Sequence, residues 1–213
     1  MRYLLLAVLG AGAYTYTRIT GLNELAVLSK GIPVLVLLWW LRQAPADSYR
    51  RWISIGLLCS LAGDILLAWP QDLFVFGLGA FLLGHLAYLK AYLCDCRQPR
   101  WLALLLAAVT GAMMFSLLAQ ADLGALLLPV ACYATAISAM LWRALARLGQ
   151  PGISPRSQWL AAVGAVLFVA SDSMIGINRF ILPFDGAHAA IMLTYWLGQW
   201  GIAASAFKRQ PER

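Results

Sequence analysis

From Tyr3 to Phe207 the chain is an almost unbroken succession of apolar stretches, each ended by a short group of charge, proline or glycine. A membrane-crossing helix needs about 20 mostly apolar residues, so this pattern predicts helices that span a bilayer and little else. Of 213 residues, 62% are hydrophobic and only 12% charged, a mix that excludes a soluble enzyme and leaves no room for a separate soluble domain. The expected fold is all-α, a single polytopic transmembrane bundle over 1–213 with eight spans near 3–20, 24–41, 52–69, 73–93, 101–119, 123–142, 158–177 and 187–207.

The net charge of +7 would suggest nucleic acid in a soluble chain, but here the basic residues gather in alternate loops. One set of loops holds Arg42, Arg50 and Arg51, then Arg97 and Arg100, then Arg143, Arg147 and Arg156, and finally Lys208, Arg209 and Arg213. The other set, at 21–23, 70–72, 120–122 and 178–186, contributes Arg179 alone, with Arg18 close to the first turn. Lys and Arg concentrate on the cytoplasmic side, so strict alternation predicts that both termini are cytoplasmic and that no nucleic acid is bound. The first segment also fits a cleavable signal peptide, from Met1-Arg2 through Leu4–Leu9 to Ala11-Gly12-Ala13; its removal would leave the other seven helices in the same orientation. Cys94-Asp95-Cys96 falls on a cytoplasmic loop, where thiols stay reduced, and the pair is too closely spaced for a zinc site.

Ionisable groups in hydrocarbon are costly and mark a functional interior by default. Asp64 lies five residues before Trp69 at the outer end of the third span, and Asp172 five residues before Ile177 at the outer end of the seventh, so the two carboxylates are expected at one depth. Lys30 enters the second span from the same side. His188, Met192, Tyr195 and Gln199 recur at i, i+4, i+7 and i+11, one face of the eighth helix. A polar stripe in a membrane must face protein or water. Asn178 and Arg179 join this outer group at the turn between spans seven and eight, while His85, with Tyr88 and Tyr92 at i+3 and i+7, makes a deeper polar face on the fourth. The structural alternatives are ion pairs acting as helix glue, Asp64 with Lys30 or Asp172 with Arg179, and a hydrogen bond from His85 to a backbone carbonyl. Gly77, Gly79, Gly84, Gly164 and Gly176 read as close-packing positions, and Trp39, Trp40, Trp69, Trp101 and Trp159 as an interfacial belt.

Taken together, these stretches resemble the YhhN family of membrane lysoplasmalogenases. The resemblance is carried by Lys30-Gly31-Ile32-Pro33, Gly63-Asp64-Ile65-Leu66-Leu67, the run Gly79–Tyr88 around Gly84-His85, Ser171-Asp172 with Asn178-Arg179-Phe180, and Ala187-His188 with Thr194-Tyr195 and Gln199. It implies hydrolysis of the vinyl ether of a lysoplasmalogen to a fatty aldehyde and a glycerophospho-base, with a lysophospholipid substrate drawn from surrounding membrane lipids and no cofactor or metal. Such a bond is broken by protonating its β-carbon and adding water to the oxocarbenium ion, so two carboxyl groups in different protonation states would suit it, as they suit glycosidases. On that reading Asp64 and Asp172 are the catalytic acid and base, without assignment of which is which. Lys30, His85, Tyr88, Ser171, Asn178, Arg179, His188, Tyr195 and Gln199 are expected to bind or support the substrate, Arg179 and Lys30 through its phosphate. The expected location is a bacterial inner membrane, with the site in the periplasmic half. Rival readings are a metal-dependent lipid hydrolase with His85, His188 and the aspartates as ligands, a transporter with the aspartates as ion sites, and a structural membrane protein. Oligomeric state is not legible in the sequence.

Overall fold

The computed structural model describes residues 2–21, 25 and 29–207. Lys208, Arg209 and Arg213, and the start of the second expected span, lie outside the described residues. Among the described residues eight α-helices are delimited: α1 Arg2–Ile19, α2 Ile32–Leu41, α3 Ser48–Ala68, α4 Phe74–Asp95, α5 Trp101–Leu118, α6 Leu127–Ala146, α7 Pro155–Gly176 and α8 Ala187–Ala204. A 3₁₀ turn over Gly124–Leu126 leads into α6, and a π-helical turn over Ile177–Ile181 prolongs α7. Among the described residues five segments are long and apolar enough to cross a membrane: α3, α4, α5, Gly124–Ala146 and Pro155–Ile181. The apolar part of α1, Leu5–Thr17, and α2 are shorter.

Helix ends depart from the apolar runs where capping chemistry sets them. Asp47 caps α3, its carboxylate accepting from the Arg50 amide at 2.8 Å, so the helix begins at Ser48 and carries Arg50 and Arg51 in its first turn. Ser154 caps α7 with Pro155 at the first helical position, three residues before the apolar run at 158. At the other end of α6 the helix continues to Ala146 and takes Arg143 with it. Hydropathy detects the hydrocarbon portion of a helix, whereas capping and polar contacts carry these helices further.

The most intimate pairings are α3 with α4 and α7 with α8. At the α7–α8 crossing a side chain on Gly164 would lie 2.7 Å from the Ile202 amide nitrogen, and one on Gly201 2.9 Å from the Leu160 carbonyl. Only glycine lets the two backbones approach that closely, the small-residue packing of helices in lipid. Gly77 against Leu67, Gly84 against the Gly56 carbonyl and Gly176 against Leu118 are close contacts of the expected kind, but Gly79 has open space around its α-carbon and packs against nothing. The α3–α4 hairpin sets Gly63 on the ring of Phe81 and Gly56 on the ring of Tyr88, which fixes the register of the residues described next.

At the basic end of the bundle, two arginines read from sequence as loop charges are buried. Arg147, fully enclosed, donates to Asp95 Oδ2 at 2.8 Å and to Ser157 Oγ at 2.9 Å, with its guanidinium 4.8 Å from the centre of the Tyr49 ring. Arg143 donates to the carbonyls of Gln98, at 3.0 Å, and Cys96. Tyr49 Oη and Ser205 Oγ are 2.7 Å apart and Ser157 Oγ donates to the Ser205 carbonyl at 2.6 Å. The ends of α3, α4, α6, α7 and α8 are thereby tied together.

Candidate active site

Asp64 is buried within the bundle and Asp172 is largely enclosed, each in its own polar nest. Asp64, 1% exposed on α3, has Lys30 Nζ 3.4 Å from Oδ1 and accepts from Tyr195 Oη at 2.6 Å on Oδ2. The hydrogen bonds continue inward: Gln199 Nε2 donates to Tyr195 Oη at 3.2 Å, and Tyr88 Oη donates to Gln199 Oε1 at 2.7 Å. Tyr195 and Gln199 are one turn apart on α8, so a single helical face presents both to α3 and α4. Five of the residues singled out from sequence, Lys30, Asp64, Tyr88, Tyr195 and Gln199, thus form one chain of contacts. The Lys30–Asp64 pair is the one expected as a structural alternative.

Asp172 on α7 belongs to a second nest. Its Oδ2 accepts from Tyr133 Oη and lies 3.2 Å from His85 Nε2, which is itself 2.9 Å from Tyr133 Oη. If Tyr133 gives its proton to the carboxylate, His85 carries its hydrogen on Nε2, and Nδ1 is left as a buried acceptor without a hydrogen-bond partner. Tyr133 was missed in the sequence, where it stands among alanines on α6. A phenol in mid-membrane needs a partner for its hydroxyl, and that was the available signal. The expected hydrogen bond from His85 to a backbone carbonyl is absent, as is the pair Asp172–Arg179.

An aromatic wall separates the nests. The fully buried Phe168 ring lies 4.8 Å from His85, 5.4 Å from Tyr195 and 6.3 Å from Tyr88, centre to centre, and Phe81 is 5.9 Å from Tyr195. Gly63 packs on Phe81, while Asp172 is held by His85, one turn further along α4. A π-helical turn carries α7 on to Ile181, four residues past the end expected for the seventh span at 177.

The remaining candidates lie elsewhere. Ser171 Oγ donates to the Ile191 carbonyl at 3.0 Å and joins α7 to α8. Asn178 Oδ1 accepts from the Phe184 amide at 3.3 Å and shapes the turn. Arg179 lies on the outer surface, paired with Asp72 at 3.0 Å and stacked 3.9 Å from the centre of the Phe74 ring. His188 is exposed at the start of α8, 5.3 Å from the Tyr14 ring. The ligand set of His85, His188 and the aspartates is not assembled, and among the described residues no group of three or more His, Cys, Asp or Glu could hold a metal ion.

Fold and site together define an all-helical integral membrane protein with ionisable groups buried between its helices. The YhhN family model matches residues 25–206, so the chain belongs to the YhhN family. It is 37% identical over 190 residues to the human lysoplasmalogenase TMEM86B, covering 88% of this chain and 77% of that one. To the lysoplasmalogenase of Mycobacterium tuberculosis it is 42% identical over 172 residues, 76% of this chain and 63% of that one. The human lysoplasmalogenase TMEM86A is 38% identical over 164 residues, 75% and 67% of the two chains. No solved structure matches it.

Proposed function

We propose that the protein is a membrane lysoplasmalogenase in which Asp172 and Asp64 divide the acid and base work of vinyl ether hydrolysis. The observation that carries this reading is the pair of enclosed carboxylates with unlike partners. Asp172 meets a phenol and an imidazole, groups through which a proton can be passed, and Tyr133 and His85 would orient it as the acid. Asp64 meets an ammonium, the partner suited to a carboxylate that acts as base, with Tyr195, Gln199 and Tyr88 fixing its orientation. The relatives named lysoplasmalogenase supply the substrate class.

In the proposed reaction Asp172 delivers a proton to the β-carbon of the vinyl ether, and the electron pair of the double bond forms the new C–H bond. The ether oxygen stabilises the resulting oxocarbenium ion. Water, losing its proton towards Asp64, adds to the carbon next to oxygen, and the hemiacetal collapses to a fatty aldehyde and the glycerol hydroxyl. Arg179 on the outer surface would meet the lipid phosphate in exchange for Asp72. The alternation of loops rich and poor in Lys and Arg supports eight spans in a bacterial inner membrane, with both termini cytoplasmic and the carboxylates in the periplasmic half.

The test is aldehyde release by the purified protein in detergent, from a lysoplasmalogen beside an ester-linked lysophospholipid. Aldehyde from the vinyl ether alone is the expected result. Flux of a solute into proteoliposomes, with the lipid untouched, would turn the carboxylates into ion sites instead.

A further inference from the structure

Two cavities lie along the seam between α5 and α6. The larger, about 480 Å³, extends from Leu104 and Trp142 near the basic end to Phe115 and Ala131. The smaller, about 60 Å³, has Asp172 and Tyr133 in its wall. Gly111, Phe115, Ala134 and Ser138 line both, so the larger cavity adjoins, across this shared wall, the smaller one that reaches the Asp172 nest. Asp172 is the less enclosed of the two carboxylates, its side chain 10% exposed against 2% for Asp64.

The chemistry of the seam is that of hydrocarbon. Its hydroxyls are already committed to their own helix: Thr135 donates to the Ala131 carbonyl and Ser138 to the Ala134 carbonyl, at 2.8 and 2.7 Å. From Ala131 to Trp142 the helix rises about 16 Å, close to half of the ~30 Å hydrocarbon core of a bilayer and so to the reach of one lipid chain. A lysolipid has one chain, and its first glycerol carbon lies at the headgroup end. With the headgroup at the outer surface and the chain directed inward along the seam, the vinyl ether would fall beside Asp172.

We infer that the α5–α6 seam binds the single hydrocarbon chain of the lysolipid and delivers its vinyl ether to Asp172. This rests on the reading of Asp172 as a residue that acts on a lysolipid. A second groove, between α1, α2 and α8, is larger at about 680 Å³, but its walls run from His188 to Trp200 and include neither carboxylate. Adjacency to the carboxylate, not size, distinguishes the two.

The experiment is photolabelling of the full-length protein in detergent with a saturated-ether lysophospholipid bearing a diazirine at the chain terminus. This probe has no vinyl ether to hydrolyse, so its labelling reports on the groove even if aldehyde release fails and the proposed reaction falls. In wild type the label should map to residues 101–142. In Ala112→Phe, which fills the exposed rim of the seam, labelling there should fall roughly tenfold, the effect of denying about two methylenes their burial. Ala189→Phe, the same change on the rim of the second groove, should leave it unaltered. Label on α1 or α8, or spread evenly over all helices of the wild type, would overturn the inference without needing either variant to fold.

Discussion

Both ends of this bundle enclose ionisable side chains, yet they are built to different rules. At the basic end Arg147 is matched to Asp95, Ser157 and the face of Tyr49, and those partners in turn tie down Ser205 and the ends of five helices. Around the carboxylates of α3 and α7 lie groups that can exchange protons, and a cavity reaches Asp172. Burial of charge in a membrane therefore does not by itself mark a reactive site. Charges held by fixed partners tie helix ends together, and a carboxylate beside a cavity leaves room for a substrate.

Removing the carboxylates should produce the largest effect. Asp172→Asn and Asp64→Asn should each lower kcat per folded molecule for aldehyde release by about 10²–10⁴-fold, the range lost with a general acid or base; Asp172→Asn should keep the thermal unfolding midpoint near that of wild type, whereas Asp64→Asn, which leaves Lys30 without its partner, should lower it. Turnover preserved in either variant would remove that residue from the chemistry. The basic end should respond in the opposite sense. Arg147→Ala leaves Asp95 buried without its partner and should cost about 3–5 kcal/mol of stability, read as denaturant unfolding in detergent, with activity per folded molecule unchanged. If Arg147→Ala instead reduced turnover of the folded protein, the contrast between the two ends would collapse.

Smaller effects sharpen the division within the outer half. Tyr133→Phe deletes the hydroxyl that donates to Asp172. It should lower kcat about tenfold, the worth of one hydrogen bond to a charged group, and leave KM unaltered. An unchanged kcat would reduce Tyr133 to packing. Arg179→Ala removes an exposed ion pair that is itself worth little to stability. Its expected signature is a rise in KM of about threefold with kcat preserved, the pattern of a lost ground-state contact; a fall in kcat alone would discard its phosphate role.

How far the site was legible follows from what its parts depend on. Lys30, Asp64, Tyr195 and Gln199 could be gathered from sequence because each is an anomaly in an apolar run and helical spacing puts Tyr195 and Gln199 on one face. Tyr133 and Phe168 could not, because their roles arise only when α6 and α7 meet α4. The π-helical turn that prolongs α7 leaves no mark in hydropathy, and Arg143 and Arg147 read as loop charges because their partners, the Cys96 and Gln98 carbonyls for the one and Asp95 and Ser157 for the other, come from other segments. The helices themselves were legible throughout, since the apolar runs that predict them are also what they bury or turn to lipid.

The division of acid and base is tested most directly by the position of solvent isotopes in the products. In D₂O the wild-type protein should release an aldehyde carrying one deuterium on the carbon next to the carbonyl, and in ¹⁸O-water the glycerol hydroxyl should remain unlabelled, because water adds on the aldehyde side of the ether oxygen. Oxygen-18 in the glycerol hydroxyl, or no deuterium in an aldehyde reduced as it forms, would contradict protonation of the vinyl ether and the roles given to Asp172 and Asp64.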